Sequence, residues 1–321
     1  MKKKLLIALV VVVLVIGVAL AGASCYLVNF AIVRTDNPPD VSPESVVTDE
    51  NASVIDVNRE TIDAQTEAWL SGAEAERVEI TSDDGLNLVG EMYRIDGSHK
   101  WLLGIHGYTS NKESFRNIAG FYAARGYNVL LPDMRAHGES EGTYIGMGWL
   151  DRMDVLKWID TIVEIDPEAE IILHGVSMGG ATVMMTSGEA LPDNVKGIVE
   201  DCGYTSVWDI FADELDYLFG LPTFPLLNTA GFASKLLAGY DFTEASSVRQ
   251  LANATVPVLF IHGSEDNFVR TDMVYEVYDA CPTEKDILVV EGAGHGEAYL
   301  MDPDLYFDTV FGFLADACGM E

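Results

Sequence analysis

The chain begins with a long run of apolar residues and continues with short apolar runs separated by amphipathic stretches. From Leu5 to Val33 no residue is charged, and this run exceeds the roughly 20 residues that a helix needs to cross a bilayer. Lysines at positions 2, 3 and 4 precede it, and positive charge there favours an amino end that stays in the cytoplasm. Residues 1–33 are therefore predicted to be a membrane anchor or signal segment, with the following residues on the extracytoplasmic side.

An uncleaved anchor is favoured over a cleaved signal sequence. Ala21 to Ala23 offers a cleavage site, but the apolar stretch continues beyond Val28, past the length of a signal peptide. Lipid attachment at Cys25 is disfavoured because Gly22 stands where lipoprotein signals usually carry leucine. Secretion after cleavage is retained as the alternative.

A polar segment links this apolar run to the remainder of the chain. Pro38, Pro39 and Pro43 stand among polar residues, a composition that favours extended chain over a helix. A helix is expected over residues 59–70. Residues 34–75 are accordingly predicted to form a stalk and an N-terminal helix.

From residue 76 onward the pattern predicts strands that alternate with helices. Residues 78–81 and 86–93 flank a turn at 82–85 and form a hairpin with alternating faces. Later apolar runs predict strands at 101–105, 127–131, 171–173, 197–200, 258–261 and 287–290, and helical spacing occurs at 112–125, 149–164 and 181–190. Such alternation is typical of a mostly parallel sheet covered on both faces, which is an α/β fold.

One connection is too long and too apolar to be a simple loop. Between the sixth strand and the strand near residue 256, large apolar side chains recur at helical spacing. We expect a small helical cap over residues 203–247, inserted into a core formed by residues 76–202 and 248–321. Trp208 is a candidate wall of a substrate pocket, as are Trp149 and Tyr108 on loops near strand ends.

Ser177 is the leading candidate for chemistry. It lies in a Gly-x-Ser-x-Gly pattern between Gly175 and Gly179, directly after one predicted strand and before a helix. This context is typical of a nucleophile elbow, where a serine stands on a tight strand-to-helix turn and small neighbours relieve crowding.

A serine hydroxyl needs an imidazole to take its proton and a carboxylate to orient that imidazole. Where such an elbow occurs, the acid and the histidine follow the serine in that order. His295, on a glycine-rich loop after the last strand, is the predicted base, and Asp266 is the predicted acid. Glu265 and Asp201 remain alternatives for the acid, and His262 is interpreted as a strand-end histidine.

The oxyanion that forms in such chemistry needs two backbone donors. The residue after the nucleophile usually supplies one, which here is Met178, and the loop after the third strand supplies the other. Tyr108 is the candidate there because Gly107 lets the chain turn close to the substrate. His106 is interpreted as a structural hydrogen-bonding residue.

Five motifs in order carry a resemblance to a known family. They are Gly104-Ile105-His106-Gly107, Asp133 to Ser140, Gly175-Val176-Ser177-Met178-Gly179-Gly180, His262-Gly263-Ser264-Glu265-Asp266 and Gly294-His295. Over residues 76–321 the chain resembles the α/β-hydrolase superfamily, and within it the membrane-anchored bacterial esterase-like and serine aminopeptidase-type hydrolases. The resemblance implies Ser177 as nucleophile, Asp266 as acid, His295 as base, and the backbone N–H groups of Tyr108 and Met178 as the oxyanion hole.

Composition limits the partners. The formal net charge is −32, so the chain is expected to avoid nucleic acid. The sequence has no dinucleotide fingerprint and no metal-ligand spacing, so neither a cofactor nor a metal is expected. Besides Cys25, the cysteines are Cys202, Cys281 and Cys318. The sequence allows one disulfide among these three, such as Cys281–Cys318, and does not decide whether it forms.

These patterns together predict a membrane-anchored serine hydrolase that cleaves carboxylic esters of small or medium acyl substrates. A serine peptidase or aminopeptidase is the alternative within the same chemistry, and it would need an acidic or polar anchor for a substrate amine. A membrane-tethered binding protein with an idle triad is the alternative from another class.

Overall fold

A computed structural model describes residues 2–38, 41 and 43–320. Its strands are β1 (Ala75–Thr81), β2 (Asn87–Tyr93), β3 (Lys100–Ile105), β4 (Asn128–Pro132), β5 (Glu170–Val176), β6 (Val195–Asp201), β7 (Val258–Gly263) and β8 (Lys285–Val290). Its helices are α1 (Lys2–Ile32), α2 (Asp49–Gly72), α3 (Arg116–Ala123), α4 (Asp151–Ile165), α5 (Met178–Thr186), α6 (Val207–Phe219), α7 (Thr223–Leu237), α8 (Ser247–Leu251), α9 (Asp272–Ala280), α10 (Ala298–Met301) and α11 (Pro303–Cys318), with a 3-10 turn over Lys112–Phe115.

The eight strands form one sheet in the order β1-β2-β4-β3-β5-β6-β7-β8. β1 pairs antiparallel with β2 in the predicted hairpin, and β2 pairs antiparallel with β4. The six strands β3 to β8 run parallel to one another. The predicted mostly parallel sheet is confirmed, and the loops after β3, β5, β7 and β8 leave it at the same edge.

Helices cover both faces of the sheet because the central strands are apolar on both faces. Successive strand residues point to opposite faces, so Leu103 packs in one buried cluster while its neighbour Leu102 packs in the other. The first cluster includes Trp158 of α4, and the second includes Tyr306 of α11. Continuous apolar strands are what a sheet buried on both sides requires.

The apolar N-terminal run forms one helix, α1. By length and composition it is able to cross a membrane. Its large apolar side chains from Leu5 to Val18 are exposed, whereas Ser24, Val28 and Ile32 at its C-terminal end are buried against the domain. The two halves of α1 therefore lie in different surroundings.

The segment expected as a stalk contacts the domain. The Arg34 guanidinium donates hydrogen bonds to the carbonyl oxygens of Gly138 and Ser140, and the Asn267 amide donates to the carbonyl of Glu44. Pro39 lies outside the described residues. Helix α2 begins at Asp49, ten residues before the predicted start, because the Thr48 hydroxyl caps it by accepting a hydrogen bond from the backbone N–H of Asn51.

Helices α6 and α7 occupy the long connection between β6 and β7, within the region predicted for the cap. Ser206 caps α6 by accepting a hydrogen bond from the Asp209 N–H, and Gly220 ends it in the left-handed conformation. Phe211 of α6 packs edge-on against Phe242, with ring centroids 4.8 Å apart. The apolar face of α6 is thereby held over the edge of the sheet that carries Ser177.

Candidate functional site

Ser177 occupies the turn between β5 and α5 in a strained conformation. Its φ of 60° and ψ of −119° are unusual for a residue with a side chain. The Ser177 N–H donates to the carbonyl of Asp201 at 2.8 Å, which ties the turn to β6. A Cβ atom at Gly175 would overlap the Gly179 carbonyl, and a Cβ at Gly179 would overlap that of Ile105. Only glycine fits at either position.

The structure brings the three predicted residues Ser177, His295 and Asp266 together. His295 Nε2 lies 2.8 Å from Ser177 Oγ, and its Nδ1 lies 2.7 Å from Asp266 Oδ2. When Asp266 is ionised, His295 Nδ1 carries a proton and donates a hydrogen bond to the carboxylate. His295 Nε2 is then free to accept a hydrogen bond from the serine hydroxyl. This arrangement activates a hydroxyl group as a nucleophile.

Asp266 is held ionised by its hydrogen bonds. Burial favours the neutral acid, but hydrogen bonds from His262 and His295 outweigh it and lower the pKa of Asp266 to about 2. Its second oxygen accepts from the backbone N–H groups of Phe268 and Val269 at 3.0 and 2.9 Å. The carboxylate is therefore fixed in position and remains charged at neutral pH.

The other carboxylates considered for the acid bind elsewhere. Asp201 accepts a hydrogen bond from the Tyr306 hydroxyl at 2.9 Å, and burial raises its pKa to about 6. Glu265 accepts a bond from the Ser264 hydroxyl beside it. His262 is fully buried and lies 2.8 Å from the carbonyl of Val269, as expected of a strand-end histidine, although it also contacts Asp266 at 3.2 Å.

The loop after β3 lies beside the serine. A Cβ at Gly107 would come within 3.3 Å of the Ser177 Cβ, so a larger residue there would crowd the serine. Within the described residues, the backbone N–H groups of Tyr108 and Met178 have no protein acceptor. Both candidates for the oxyanion hole thus remain available to bind a ligand.

Two neutral histidines hold this loop. His106 accepts from the Met134 N–H at 3.0 Å and bonds the Gly107 carbonyl through Nδ1, in the structural role expected for it. His137, which sequence reasoning did not single out, accepts from the Thr109 N–H at 3.1 Å. Burial lowers the pKa of His106 to about 3 and that of His137 to about 4, so each ring can serve as an acceptor at neutral pH.

An apolar cavity opens from Ser177 beside helices α6 and α7. Its lining is almost entirely apolar, as is typical of small-molecule sites. Tyr108, predicted as a pocket wall, lines it, as do Met178 and several residues of α1, α6 and α7. We call it the apolar cavity.

Trp149 and Trp208 do not line this cavity, contrary to expectation. The Trp149 ring is covered by the Arg152 guanidinium, whose central carbon lies 3.6 Å from the ring centroid. Trp208 belongs to the first turn of α6 and packs against the buried core, whereas Phe211 and Leu215 further along the helix reach the cavity. The residue spacing predicts a helix here, but it does not show which of its residues face the cavity. That depends on how α6 packs against the rest of the domain.

A second depression also reaches Ser177. Its lining mixes polar residues such as Thr109, Ser110 and His295 with apolar ones such as Ile118 and Phe268, and we call it the polar cavity because polar atoms form a larger share of its surface than in the apolar cavity. Ser177 thus lines both an apolar space and a more polar one. This division suits a substrate with an apolar acyl part and a more polar leaving group.

One acidic side chain lines the apolar cavity. Glu214 on α6 has a buried carboxylate oxygen, Oε2, with no partner among the described residues. Burial, with a smaller effect of Asp213, raises the pKa of Glu214 to about 7. Sequence reasoning did not identify it, because the helical spacing of α6 does not reveal that a carboxylate faces an apolar space.

The four cysteines all lie among the described residues and are free, so the disulfide that the sequence left open between Cys281 and Cys318 is not formed. Ligand atoms of Cys202, Asp266 and His295 lie within 4.8 Å of one another. The carboxylate and the imidazole already bind each other, and burial raises the pKa of the Cys202 thiol well above its usual range. In this structure Asp266 and His295 are therefore partners of each other, and Cys202 is a buried neutral thiol near them.

Comparison with known proteins agrees with this architecture. Residues 100–238 match the family model described as alpha/beta hydrolase fold. The uncharacterized protein YqkD of Bacillus subtilis is 29% identical over 210 residues, which cover 65% of this chain and 69% of that protein. An uncharacterized membrane protein of Saccharomyces cerevisiae, YNL320W, is 23% identical over 61% of this chain and 63% of its own length.

Solved structures show the same fold. The esterase Pf2001 of Pyrococcus furiosus superposes with a TM-score of 0.63 at 26% identity, covering 77% of this chain and 93% of the esterase. An acylaminoacyl peptidase of Pyrococcus horikoshii matches with a TM-score of 0.58 at 18% identity, over 78% of this chain and 42% of the peptidase. With its sheet order, its elbow and these similarities, the chain has the α/β-hydrolase fold.

Proposed function

We propose that this α/β hydrolase is a membrane-anchored serine hydrolase that cleaves carboxylic esters on the extracytoplasmic side. The observation that carries the proposal is the continuous chain of hydrogen bonds from Ser177 Oγ through the His295 ring to Asp266, at 2.8 and 2.7 Å. The strained turn under Ser177 supports the proposal because such strain persists where it serves a reactive group.

In the proposed reaction, Ser177 Oγ attacks the ester carbonyl carbon while His295 Nε2 takes the hydroxyl proton. Asp266 stabilises the imidazolium that forms and keeps the ring oriented. The negative charge that develops on the carbonyl oxygen is bound by the backbone N–H groups of Tyr108 and Met178. Each such donor typically contributes about a hundredfold to a thousandfold in turnover.

Collapse of this intermediate breaks the bond between the acyl carbon and the alcohol oxygen. His295 gives its proton to the leaving alcohol, and the acyl group remains as an ester of Ser177. A water molecule then attacks the acyl-enzyme with His295 as base, which releases the acid and restores the serine. We assign the acyl group to the apolar cavity and the alcohol to the polar cavity, because each cavity matches the polarity of that part.

The membrane part of the proposal rests on α1. Lys2 to Lys4 precede the exposed apolar part of this helix, and charge in that position favours a cytoplasmic amino end. The rest of the chain then lies on the other side of the membrane. Removal of a signal peptide after Ala23 is the alternative, and the molecular mass of the mature protein distinguishes the two.

Hydrolysis of p-nitrophenyl esters from acetate to long acyl chains tests the chemistry. The wild type should hydrolyse some of these esters, and Ser177→Ala should lower the rate by at least about a thousandfold. Ser71→Ala, on the exposed surface of α2, is the matched control and should retain full activity. Equal activity of the wild type and Ser177→Ala would rule out the proposal.

A second candidate function follows from Glu214. A carboxylate in the cavity that opens from the reactive serine would bind the amino group of a peptide substrate, which favours an aminopeptidase. This candidate predicts cleavage of alanine p-nitroanilide but not of its N-acetylated form, with a higher KM for the free amine in Glu214→Gln than in the control Asp213→Asn. Ester hydrolysis without cleavage of either anilide would exclude it.

An idle triad in a membrane-tethered binding protein is the remaining alternative. A fluorophosphonate reacts only with an activated serine. Folded wild-type protein that hydrolyses no ester or amide and does not react with this reagent would favour the idle protein.

A further inference from the structure

The C-terminal turns of α1 form part of the wall of the apolar cavity. Leu27, Phe30 and Ala31 line it together with Ser177 and Met178. One helix therefore supplies both the exposed apolar segment at the amino end and a wall of the space that opens onto the reactive serine.

This end of α1 is fixed to the domain by specific contacts. The Ser24 hydroxyl lies 2.7 Å from that of Thr229 on α7, and the Ile145 N–H donates to the Ile32 carbonyl at 2.7 Å. The Tyr108 hydroxyl donates to the carbonyl of Ala31 at 2.7 Å. Since the backbone of Tyr108 belongs to the proposed oxyanion hole, α1 contacts the loop that carries this donor.

Helix α7 runs antiparallel to α1. Phe30 of α1 packs against Phe219 at the end of α6, with ring centroids 5.7 Å apart, whereas Ser24 bonds Thr229 further along the chain. Residues of α7 beyond Thr229 therefore extend toward the exposed half of α1. Among them, Phe232 is 61% exposed and Leu236 is 70% exposed.

The charge distribution sets this region apart. The chain has 51 acidic residues in 321, so a stretch of 24 residues would carry about four on average. Residues 217–240 carry none, and their one charged side chain is Lys235. This acid-free stretch contains α7. We call the exposed apolar residues in the C-terminal half of α7, which are Phe232, Leu236 and Leu237, the α7 face.

The spacing along α1 places the α7 face near a bilayer. A hydrocarbon core of about 30 Å takes up about 20 helical residues, which from Leu5 extends to Ser24. Ser24 is also where α1 reaches α7. The α7 face, which extends from there toward the exposed half of α1, would then lie at the depth of the acyl chains, where an exposed phenylalanine or leucine is stabilised.

We infer that the substrate is a bilayer lipid carrying a long fatty acyl ester, which the enzyme takes from the leaflet against which the α7 face packs. The inference rests on the proposed esterase function and specifies its substrate. The fatty acyl chain lies in the apolar cavity against α1 and α6, with its ester carbonyl at Ser177. Water cleaves the acyl carbon–oxygen bond, so that one fatty acid and one deacylated lipid alcohol leave.

The test uses the full-length chain reconstituted in phosphatidylcholine vesicles that contain diacylglycerol. Two rates are measured on each preparation: fatty acid release from the diacylglycerol, and hydrolysis of water-soluble p-nitrophenyl acetate. The variant is Phe232→Glu with Leu236→Glu. The matched control is Leu305→Glu, an exposed leucine on α11, and acetate hydrolysis reports whether each protein is folded.

We expect fatty acid release to fall by about tenfold or more in the α7 variant, while acetate hydrolysis stays at the wild-type rate and the control retains both activities. Equal fatty acid release by variant and wild type would overturn the inference, as would wild-type hydrolysis of acetate with none of diacylglycerol. In both cases the esterase proposal would stand. A wild type that hydrolyses neither substrate would overturn the esterase proposal and the inference with it.

A second copy of this chain is the other partner that an apolar face could bind. The oligomeric states of the wild type and of the α7 variant in detergent distinguish self-association from contact with the membrane. A dimer that the α7 variant converts to a monomer, with fatty acid release unchanged, would assign the face to self-association and overturn the inference.

Discussion

Asp266 accepts hydrogen bonds through both carboxylate oxygens, and these bonds determine which nitrogen of His295 carries a proton. One oxygen is held by two backbone N–H groups, and the other faces the two histidines His262 and His295. An asparagine would present an N–H to His295 Nδ1, so that Nε2 would keep the proton and lose its ability to accept one.

Asp266→Asn should therefore lower kcat on a p-nitrophenyl ester by about a thousandfold to ten thousandfold. The fold should be preserved, because the oxygen bound by the two backbone N–H groups is retained. Glu265→Gln is the matched control, since among the described residues this neighbouring acid forms no hydrogen bond or ion pair with His295, and its kcat should remain near that of the wild type. A loss of less than tenfold in Asp266→Asn would contradict the role assigned to the carboxylate.

At the scale of residues, the sequence supports specific predictions where a motif fixes both residue type and chain order. Ser177, Asp266 and His295 come together because each follows a strand that ends at the same edge of the sheet. Trp149 and Trp208, predicted as pocket walls, do not line the apolar cavity, since contact with a cavity depends on how loops and helices rotate when they pack. Glu214 was missed for the same reason.

At the scale of elements, the elbow between β5 and α5 depends on the close approach of β3. Gly179 packs on the backbone of Ile105 with no room for a Cβ atom. Gly179→Ala should force these elements apart and cost roughly 1–3 kcal/mol of stability. Gly312 in α11 has no neighbour within 4 Å of its ideal Cβ, so Gly312→Ala should be neutral or stabilising by up to about 1 kcal/mol.

Thermal unfolding of the two alanine variants and the wild type measures both effects. An unchanged melting temperature in Gly179→Ala would show that the elbow tolerates a side chain there and would contradict the packing described. Gly312→Ala measures how replacing a helical glycine without close neighbours changes the melting temperature. The difference between the two variants therefore reports the crowding at Gly179.

Element boundaries were harder to predict than element types. The strands of the sheet followed from their apolar runs, but α2 begins ten residues before its predicted start because a threonine cap and contacts with the domain stabilise its first turns. The docking of α1 on α7 could not be predicted, since it joins segments that are about 200 residues apart through a pair of hydroxyl groups.

At the scale of the whole molecule, buried carboxyl groups should make stability depend on pH. Burial raises the pKa of Asp151 to about 7 and that of Glu200 to about 8, whereas both ionise near pH 4 in an unfolded chain. Between these values the folded state binds more protons than the unfolded state. The free energy of unfolding therefore falls as pH rises, by up to about 1.4 kcal/mol per pH unit for each such group.

Unfolding by urea between pH 7.5 and 8.5 checks this expectation, because ordinary histidines in the unfolded chain are largely neutral there. The wild type should lose stability as pH rises across the window, and Glu200→Gln should show a smaller slope. Glu60→Gln on the exposed surface of α2 is the control and should keep the wild-type slope. A wild type whose stability is constant or rises with pH would contradict the buried, protonated state of these acids.

Covalent labelling of the folded, full-length protein with a fluorophosphonate, followed by mass mapping of the modified peptide, tests the central claim most directly. The account predicts a single adduct on Ser177, its absence in Ser177→Ala, and much slower labelling in Asp266→Asn. Folded protein that forms no adduct, or that reacts equally well in Ser177→Ala, would contradict the claim that Ser177 is an activated nucleophile.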